Sequence, residues 1–514
     1  MGFLLATSLV CGALVMVIEV LGSRVIGPYF GVSLFVWTAL ITVTLVGLAA
    51  GYATGGWLSD RRPSADWLYG LILIAGLLVL VIPWVKDPIL RAALSLGLRA
   101  GALAAATAIF FPSLFLLGCV SPYIVKIAAR EIQSIGRTVG VLAAVSTVGS
   151  FLGTVLTGFV LITAFGVGRI FLVVGALLLV LSGSYFALFR RRFWLLAPAL
   201  AALLLPQRTA LRSGVTADGS VVQELYKTDS FYGHLDVLDI HRARSMTRAI
   251  IVDGAFQGGV DLPTGLSAYP YPYFLEFLPY GLNAQGRRCL VVGLGAGVVP
   301  AWYEHRGVTT DVVEIDPEVL EVAQRYFGLA LSGRVAVDDA RHFLNVNREK
   351  YDFIVLDAFA GDTFPGHLLT REALSLVAGS MAPGAVLALN LVAGLAPGDQ
   401  LAPSVVRTLG TLFDQVEVRP LFNPRTRRFG NTEIVAYQGP PRRLQLELLE
   451  KLPVVPEARW AMPFLGWTLQ IPAGDGLVLT DDYSPLEAMD LEVKEQLRRR
   501  LAAERVEWDL SASL

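Results

Sequence analysis

Four short segments in the second half of this 514-residue chain hold residue types that could bind a nucleoside and set a reacting group beside it. The first is VVGLGAGVVP, Val291 to Pro300, which contains Gly293, Gly295 and Gly297. Glycines at that spacing permit a tight strand-to-helix turn and let the backbone approach a ligand near a helix N-terminus. Seventeen residues after Gly297, the segment VVEID supplies Glu314 and Asp316. A carboxylate ending a second strand can accept hydrogen bonds from both hydroxyls of a ribose. The third segment, VDDA, brings Asp338, Asp339 and Ala340, where an acid can accept from an adenine amino group. The fourth, YDFIVLDAF, ends a strand on Asp357, with Asp362 a few residues on. A carboxylate there would face the crevice where a reacting group would lie.

These residues need a frame that sets them at one edge. Strand signals at 288–292, 311–314, 335–337, 353–357 and 385–391 alternate with helical signals from 298, at 317–326 and at 370–377. A further helix is expected over 273–282. That alternation predicts a doubly wound, Rossmann-like α/β sheet, with ligands at the carboxyl ends of its strands. Ahead of it, residues 223–253 show period-two alternation broken by turns, which predicts hairpins of a small antiparallel unit.

The first two hundred residues are of a different kind. Apolar runs at about 3–22, 33–58, 67–85, 101–125, 138–165 and 168–189 mostly reach the ~20 residues that cross a hydrocarbon core. A seventh run, Phe193 to Pro206, holds fourteen residues and Pro198. At ~1.5 Å per residue it would reach only about 21 Å, so it is either a short span or an interfacial hairpin. Three domains are expected: a transmembrane helical bundle at 1–206 with six or seven spans, a linker and β-hairpin unit at 207–265, and the Rossmann-like domain at 266–514.

Charge follows the same division. Residues 1–206 carry thirteen Lys/Arg against five Asp/Glu, and the remainder twenty-nine against thirty-eight. An acidic water-facing half argues against nucleic acid, which calls for a basic face. Loops with Arg61 and Arg62, with Lys126, Arg130 and Arg137, and with Arg190 to Arg192 hold eight basic residues, against five in the alternate loops. That bias puts the N-terminus and Arg190–Arg192 inside. A cytoplasmic α/β domain is expected if the seventh run does not cross, and nucleoside chemistry favours that side. Glu19 is an acid inside an apolar run, either paired with a neighbour such as Arg24 or functional. Gly47, Gly51 and Gly55, and Gly149 and Gly153, recur at every fourth residue, a spacing for close helix packing. Cys11, Cys119 and Cys289 lie far apart, which indicates neither a disulfide framework nor a zinc site.

On these motifs, the stretch from about Val221 to Ala388 resembles the spermidine synthase family of aminopropyltransferases, built on the S-adenosylmethionine methyltransferase fold. VDGAFQ resembles that family's L-D-G-x-x-Q phrase, and Tyr269, Tyr271 and Tyr273 fall where it has a tyrosine-bearing helix. VVEID, the D-D-A at Asp338 to Ala340, and YDFIVLDAF follow in the family's order. The layout, including TDDYSPLE near the C-terminus, looks like the membrane-fused members of prokaryotes.

The resemblance implies decarboxylated S-adenosylmethionine, or S-adenosylmethionine itself, as co-substrate, with no metal. Gly293, Gly295, Gly297, Glu314, Asp316, Asp339 and Ala340 would hold the nucleoside. Asp357 would be catalytic, while Gln257 and Tyr271 would hold the amine and the donor's tail. Where the family has acids, this chain has Ala296 and Ala360, and Asp362 is the candidate replacement for the second. Transfer of an aminopropyl group to a small amine or polyamine such as putrescine, or to a membrane-associated amine, is the first expectation. A methyl or aminocarboxypropyl transfer from S-adenosylmethionine is an alternative. So is a non-catalytic, nucleoside-gated transporter or sensor with Glu19 as its coupling residue. The expected partners are the amine and the lipid bilayer, and a homodimer is left open.

Overall fold

The computed structural model describes the chain except residues 32–33, 130–134, 193, 195–212, 217, 244, 360, 362–363, 472–475, 490 and 512–514. Ala360, Asp362 and nearly all of the seventh apolar run therefore lie outside the described residues. Two compact units form: Met1–Ala210 with Thr228–His234, and Leu211–Lys227 with Leu235–Leu514.

Among the described residues, the first unit contains six helices long and apolar enough to cross a membrane: Gly2–Phe30, Leu34–Arg61, Ala65–Leu94, Leu98–Ala128, Ile135–Leu161 and Val167–Arg190. They coincide with the six longer apolar runs. Phe151, Phe159 and Leu188 stand more than half exposed on their outer faces. Large exposed apolar surface is unstable in water and suits a lipid solvent. Lys126 pairs with Asp60 at 2.7 Å and Arg190 with Asp66 at 2.7 Å. The loops that carry Arg61 and Arg62, Lys126, and Arg190 thus gather at one end of the bundle. Glu19 lies half-buried within the first helix.

The glycine stripes are packing surfaces. A Cβ on Gly51 would stand 2.4 Å from the Phe115 carbonyl oxygen, and one on Gly149 would stand 2.1 Å from that of Leu9. Without side chains the backbones approach closely enough for continuous van der Waals contact. Gly149→Leu is expected to destabilise the bundle by about 1–3 kcal/mol through overpacking. Gly140→Leu, on the same helix with nothing within 4 Å of its Cβ position, is the control. Thermal melting in detergent distinguishes them.

The second unit begins with a five-stranded sheet in the order β1-β2-β3-β4-β5: Ser213–Val215, Val221–Asp229, His234–Arg242, Ser245–Val252 and Ala255–Asp261. Helix Pro270–Leu282 follows, then a seven-stranded sheet. Its strands are β6 Arg288–Val292, β7 Thr309–Glu314, β8 Val335–Val337, β9 Tyr351–Leu356, β10 Met381–Gly394, β11 Gln415–Pro420 and β12 Phe429–Tyr437. They lie in the order β11-β12-β10-β9-β6-β7-β8. From β8 to β10 the pairing is parallel, while β12 joins β10 antiparallel and β11 joins β12 antiparallel. The expected doubly wound α/β sheet is present, and the antiparallel end extends it.

Parallel strands covered on both faces must be apolar on both, which is why β6 and β9 read as RCLVV and YDFIVL. Alternate residues divide between two cores. Val291, Val355, Ala388 and Val435 meet Tyr273, Phe274 and Phe277 on one face. Leu290, Ile354, Leu387 and Ile434 meet Phe343 and Leu374 on the other. Chain order reverses at β6, which has β7 on one side and β9 on the other. Such a switch point opens a crevice beyond the strands' carboxyl ends.

Candidate active site at the switch point

The glycine loop follows β6 at that switch point. Gly293, Gly295 and Gly297 all have positive φ, at 91°, 52° and 72°. Two of them also stand where backbone meets backbone. A Cβ on Gly293 would lie 2.3 Å from the Asp357 carbonyl oxygen, and one on Gly295 would lie 2.4 Å from that of Gln257. The loop thereby brings the end of β6 against the end of β9 and against β5. Gly293→Ala is expected to cost about 1–3 kcal/mol of stability. Gly307→Ala isolates the conformational part, since Gly307 has φ 73° with open space around it. Denaturant unfolding of the two variants makes the comparison.

Backbone hydrogen bonds fix the acids at neighbouring strand ends. The Gly293 N–H donates to the Val313 carbonyl, that of Asp338 to Glu314, and that of Asp357 to Val292. Glu314 is buried; its two carboxylate oxygens accept from the Leu294 and Asp316 N–H groups, each at 2.9 Å. Burial pushes its carboxyl up to about 7, against the pull of those two donors. The Ile315 N–H pulls the same way, so of a carboxylate's roughly four acceptor positions about one remains for a further donor.

Asp316 is the N-cap of helix Pro317–Phe327, its carboxylate accepting from the Glu318 N–H at 3.0 Å. Asp339 caps helix Ala340–Val346, accepting from the Arg341 and His342 N–H groups at 2.9 and 3.0 Å. Its second oxygen faces His367 Nε2 at 3.3 Å. Ala340 is buried immediately behind it. The capping contacts orient both acids at the same edge as Glu314, and only Asp339 remains substantially exposed there.

Asp357 follows β9. Its Oδ1 accepts from Asn390 Nδ2 at 2.8 Å, and Asn390 Oδ1 accepts from Asn431 Nδ2 at 3.0 Å. Burial pushes the Asp357 carboxyl up to about 6, and the Asn390 bond opposes that shift. Gln257 on β5 donates through Nε2 to the Gly361 carbonyl, which ties the hairpin sheet to the loop after Asp357. The Tyr271 hydroxyl lies 3.5 Å from the Gln257 carbonyl oxygen, at the outer limit of a hydrogen bond. Burial and the nearby charges of Asp357 and Glu433 push its phenol well above the usual range.

The structure thus brings Gly293, Gly295, Glu314, Asp357, Gln257 and Tyr271 together around the carboxyl ends of β6, β7 and β9. Sequence reasoning missed Asn390, Asn431 and Glu433. The signal was a polar residue at an inward position of the apolar strand runs VLALNLV and NTEIVAY.

No family model matches the chain. A polyamine aminopropyltransferase of Vibrio vulnificus is 40% identical over 115 residues, which cover 21% of this chain and 38% of that protein. An N-terminal histidine N-methyltransferase of Emericella nidulans is 30% identical over 203 residues, 35% of this chain and 36% of the other. The chain therefore spans well under half the length of these curated relatives. Among solved structures, a probable spermidine synthase of Corynebacterium glutamicum is 17% identical, with a TM-score of 0.40, over 50% of this chain and 97% of that one. Over the matched stretches the chain is similar to a polyamine aminopropyltransferase and to an N-terminal histidine N-methyltransferase, and among the described residues it bears six helices long and apolar enough to cross a membrane.

Proposed function

We propose that the α/β unit is an aminopropyltransferase that moves the aminopropyl group of decarboxylated S-adenosylmethionine to a primary amine and releases methylthioadenosine. The observation that carries this reading is the convergence of Glu314, the positive-φ glycines and Asp357 at adjacent strand ends around the switch point. The buried Glu314 carboxylate would accept from a ribose hydroxyl. Asp339 stands one strand further along, toward the adenine. Asp357, held by Asn390, accepts the proton of the attacking amine. The nitrogen's lone pair forms the new N–C bond as the C–S bond breaks. That electron pair returns to sulfur, which leaves as the neutral thioether. Alignment of donor and acceptor in one crevice supplies much of the rate.

The six apolar helices would hold this unit at a membrane, with the α/β unit on the cytoplasmic side, where nucleoside donors are made. A small amine or polyamine is the acceptor this reading favours, because Asp357, Gln257 and Tyr271 would offer it polar and acidic partners.

A second reading has a specific observation in its favour. Ala296, at the family's acidic position, is buried and offers nothing to an aminopropyl ammonium. Together with the methyltransferase relative, it favours S-adenosylmethionine as donor and a methyl or aminocarboxypropyl transfer. Mass spectrometry of the nucleoside product separates the possibilities. Release of S-adenosylhomocysteine would identify methyl transfer. Methylthioadenosine from the decarboxylated donor would support aminopropyl transfer, and from S-adenosylmethionine itself aminocarboxypropyl transfer. Failure to bind all three of S-adenosylmethionine, its decarboxylated form and methylthioadenosine, in a folded protein, would overturn both readings.

A further inference from the structure

Helix Leu491–Ser511 carries Arg498, Arg499 and Arg500 in succession. The second and third are exposed, whereas Arg498 is only 1% exposed. Burial of a guanidinium is costly unless acceptors meet its N–H groups. Arg498 Nη1 donates to the Asp253 carbonyl at 2.7 Å. A Cβ on Gly361 would stand 2.9 Å from Arg498 Nη2 and 3.8 Å from the Asp253 Cβ. The guanidinium is thus packed against two turns that lie side by side.

Both turns lead into the candidate site. Asp253 and Gly254 join β4 to β5, with φ of 47° and 76°. Positive φ at both positions is what a tight two-residue hairpin needs, and Asp-Gly supplies it. Gln257 follows on β5. Gly361 comes shortly after Asp357 and has φ 64°. Gln257 Nε2 donates to the Gly361 carbonyl, so Gly361 meets both Gln257 and Arg498. A side chain at 361 would press into the guanidinium. Glu314 and Asp339, by contrast, are fixed by backbone N–H groups of their own loops and helices, with no contribution from helix Leu491–Ser511.

We propose that Arg498 is a positioning residue for the transfer, which locks the Asp253–Gly254 turn against Gly361 and so sets Gln257 relative to Asp357. The inference rests on the transfer reading above and adds to it a residue that touches no reacting atom. Its N–H groups lie in one plane, so a guanidinium can bond one turn while its edge packs on the other. A lysine ammonium is a single compact charge and serves one turn at a time. A shift of about 1 Å between reacting groups costs about 10²-fold in rate. Loss of Arg498 therefore acts on the acceptor and on turnover, and leaves the nucleoside acids where they are.

Steady-state kinetics of the full chain in detergent, with decarboxylated S-adenosylmethionine and putrescine, tests this beside calorimetry of methylthioadenosine. Arg498→Met is expected to lower kcat/KM for putrescine about 10²-fold and to keep methylthioadenosine affinity within about twofold. Arg498→Lys is expected to recover about tenfold of that loss, and it carries the test if the methionine variant does not fold. Gly361→Ala, which drives a methyl group against the guanidinium, is expected to give the same split. In the double variant Gly361→Ala/Arg498→Met the two losses should not add, because both act through one contact. Arg499→Met, exposed on the same helix, should change neither property. Equal loss of nucleoside affinity and turnover, full activity of either Arg498 variant, or additive losses would mark a merely structural residue and overturn the proposal. Calorimetry with putrescine keeps the two ideas apart. If the wild type binds putrescine but releases no methylthioadenosine, the transfer reading falls, and about tenfold weaker putrescine binding by the Arg498 variants would still support the positioning role. Methylthioadenosine release that these variants leave unchanged would do the reverse.

Discussion

Asp357→Asn is expected to lower turnover by about 10²–10⁴-fold while nucleoside binding and folding are preserved, the range for loss of a positioned general base. The amide keeps the shape of the carboxylate and can still bond Asn390 after a flip of that side chain, so the strand end is not disturbed. What is lost is the ability to take a proton. Steady-state kinetics with the decarboxylated donor, paired with calorimetry of methylthioadenosine, reads the two properties separately. Unchanged turnover would move the chemistry to another residue. The pH profile gives a second readout. Burial holds the Asp357 carboxyl up at about 6, so its basic form is present above that pH and disappears below it. Activity is therefore expected to fall as pH drops through about 6, and the residual activity of Asp357→Asn should lack that limb.

Glu314→Ala is expected to weaken methylthioadenosine binding by about 1.5–3 kcal/mol, the worth of hydrogen bonds to a charged group, or roughly ten- to 150-fold. It also removes the acceptor for the Leu294 and Asp316 N–H groups, so its stability has to be measured alongside. Glu314→Gln separates the two effects, because the amide oxygen can keep one of these bonds. The carboxyl has a further signature without nucleoside. Burial raises it from 4.5 to about 7, so the folded state holds a proton that the unfolded chain has already released. Its contribution to stability is thus full below about 4.5 and lost as pH rises to about 7, a change on the order of 3 kcal/mol. Melting temperatures of the wild type minus those of Glu314→Gln should follow that slope, and a flat difference would contradict it.

Much of this was written in the order of residues along the chain. Among the described residues, six runs of apolar residues became six long helices, because about 20 nearly uninterrupted apolar residues make a helix apolar on every side and long enough to cross a hydrocarbon core. The strands at 288–292 and 335–337 lie where the sequence signals put them, and the other parallel strands start or end within a few residues. Strands buried on both faces announce themselves as unbroken apolar runs between turn residues. The glycines at 293, 295 and 297, with an acid following each of the next strands, likewise fixed which edge of the sheet holds the crevice.

Only the tertiary structure decided which polar groups meet there. Asp316 reads in sequence as one more acid of VVEID, but its carboxylate caps the helix that follows. The antiparallel end of the sheet set β12 beside β10, and so brought Glu433 onto the face of Asp357 although the two are far apart in the chain. Asn390 was invisible as a partner of Asp357 until the β9–β10 register was known. A period-two pattern states that a side chain lies on one of two faces. Which strands share that face is set by strand order, and strand order is a property of the packed sheet rather than of any one segment.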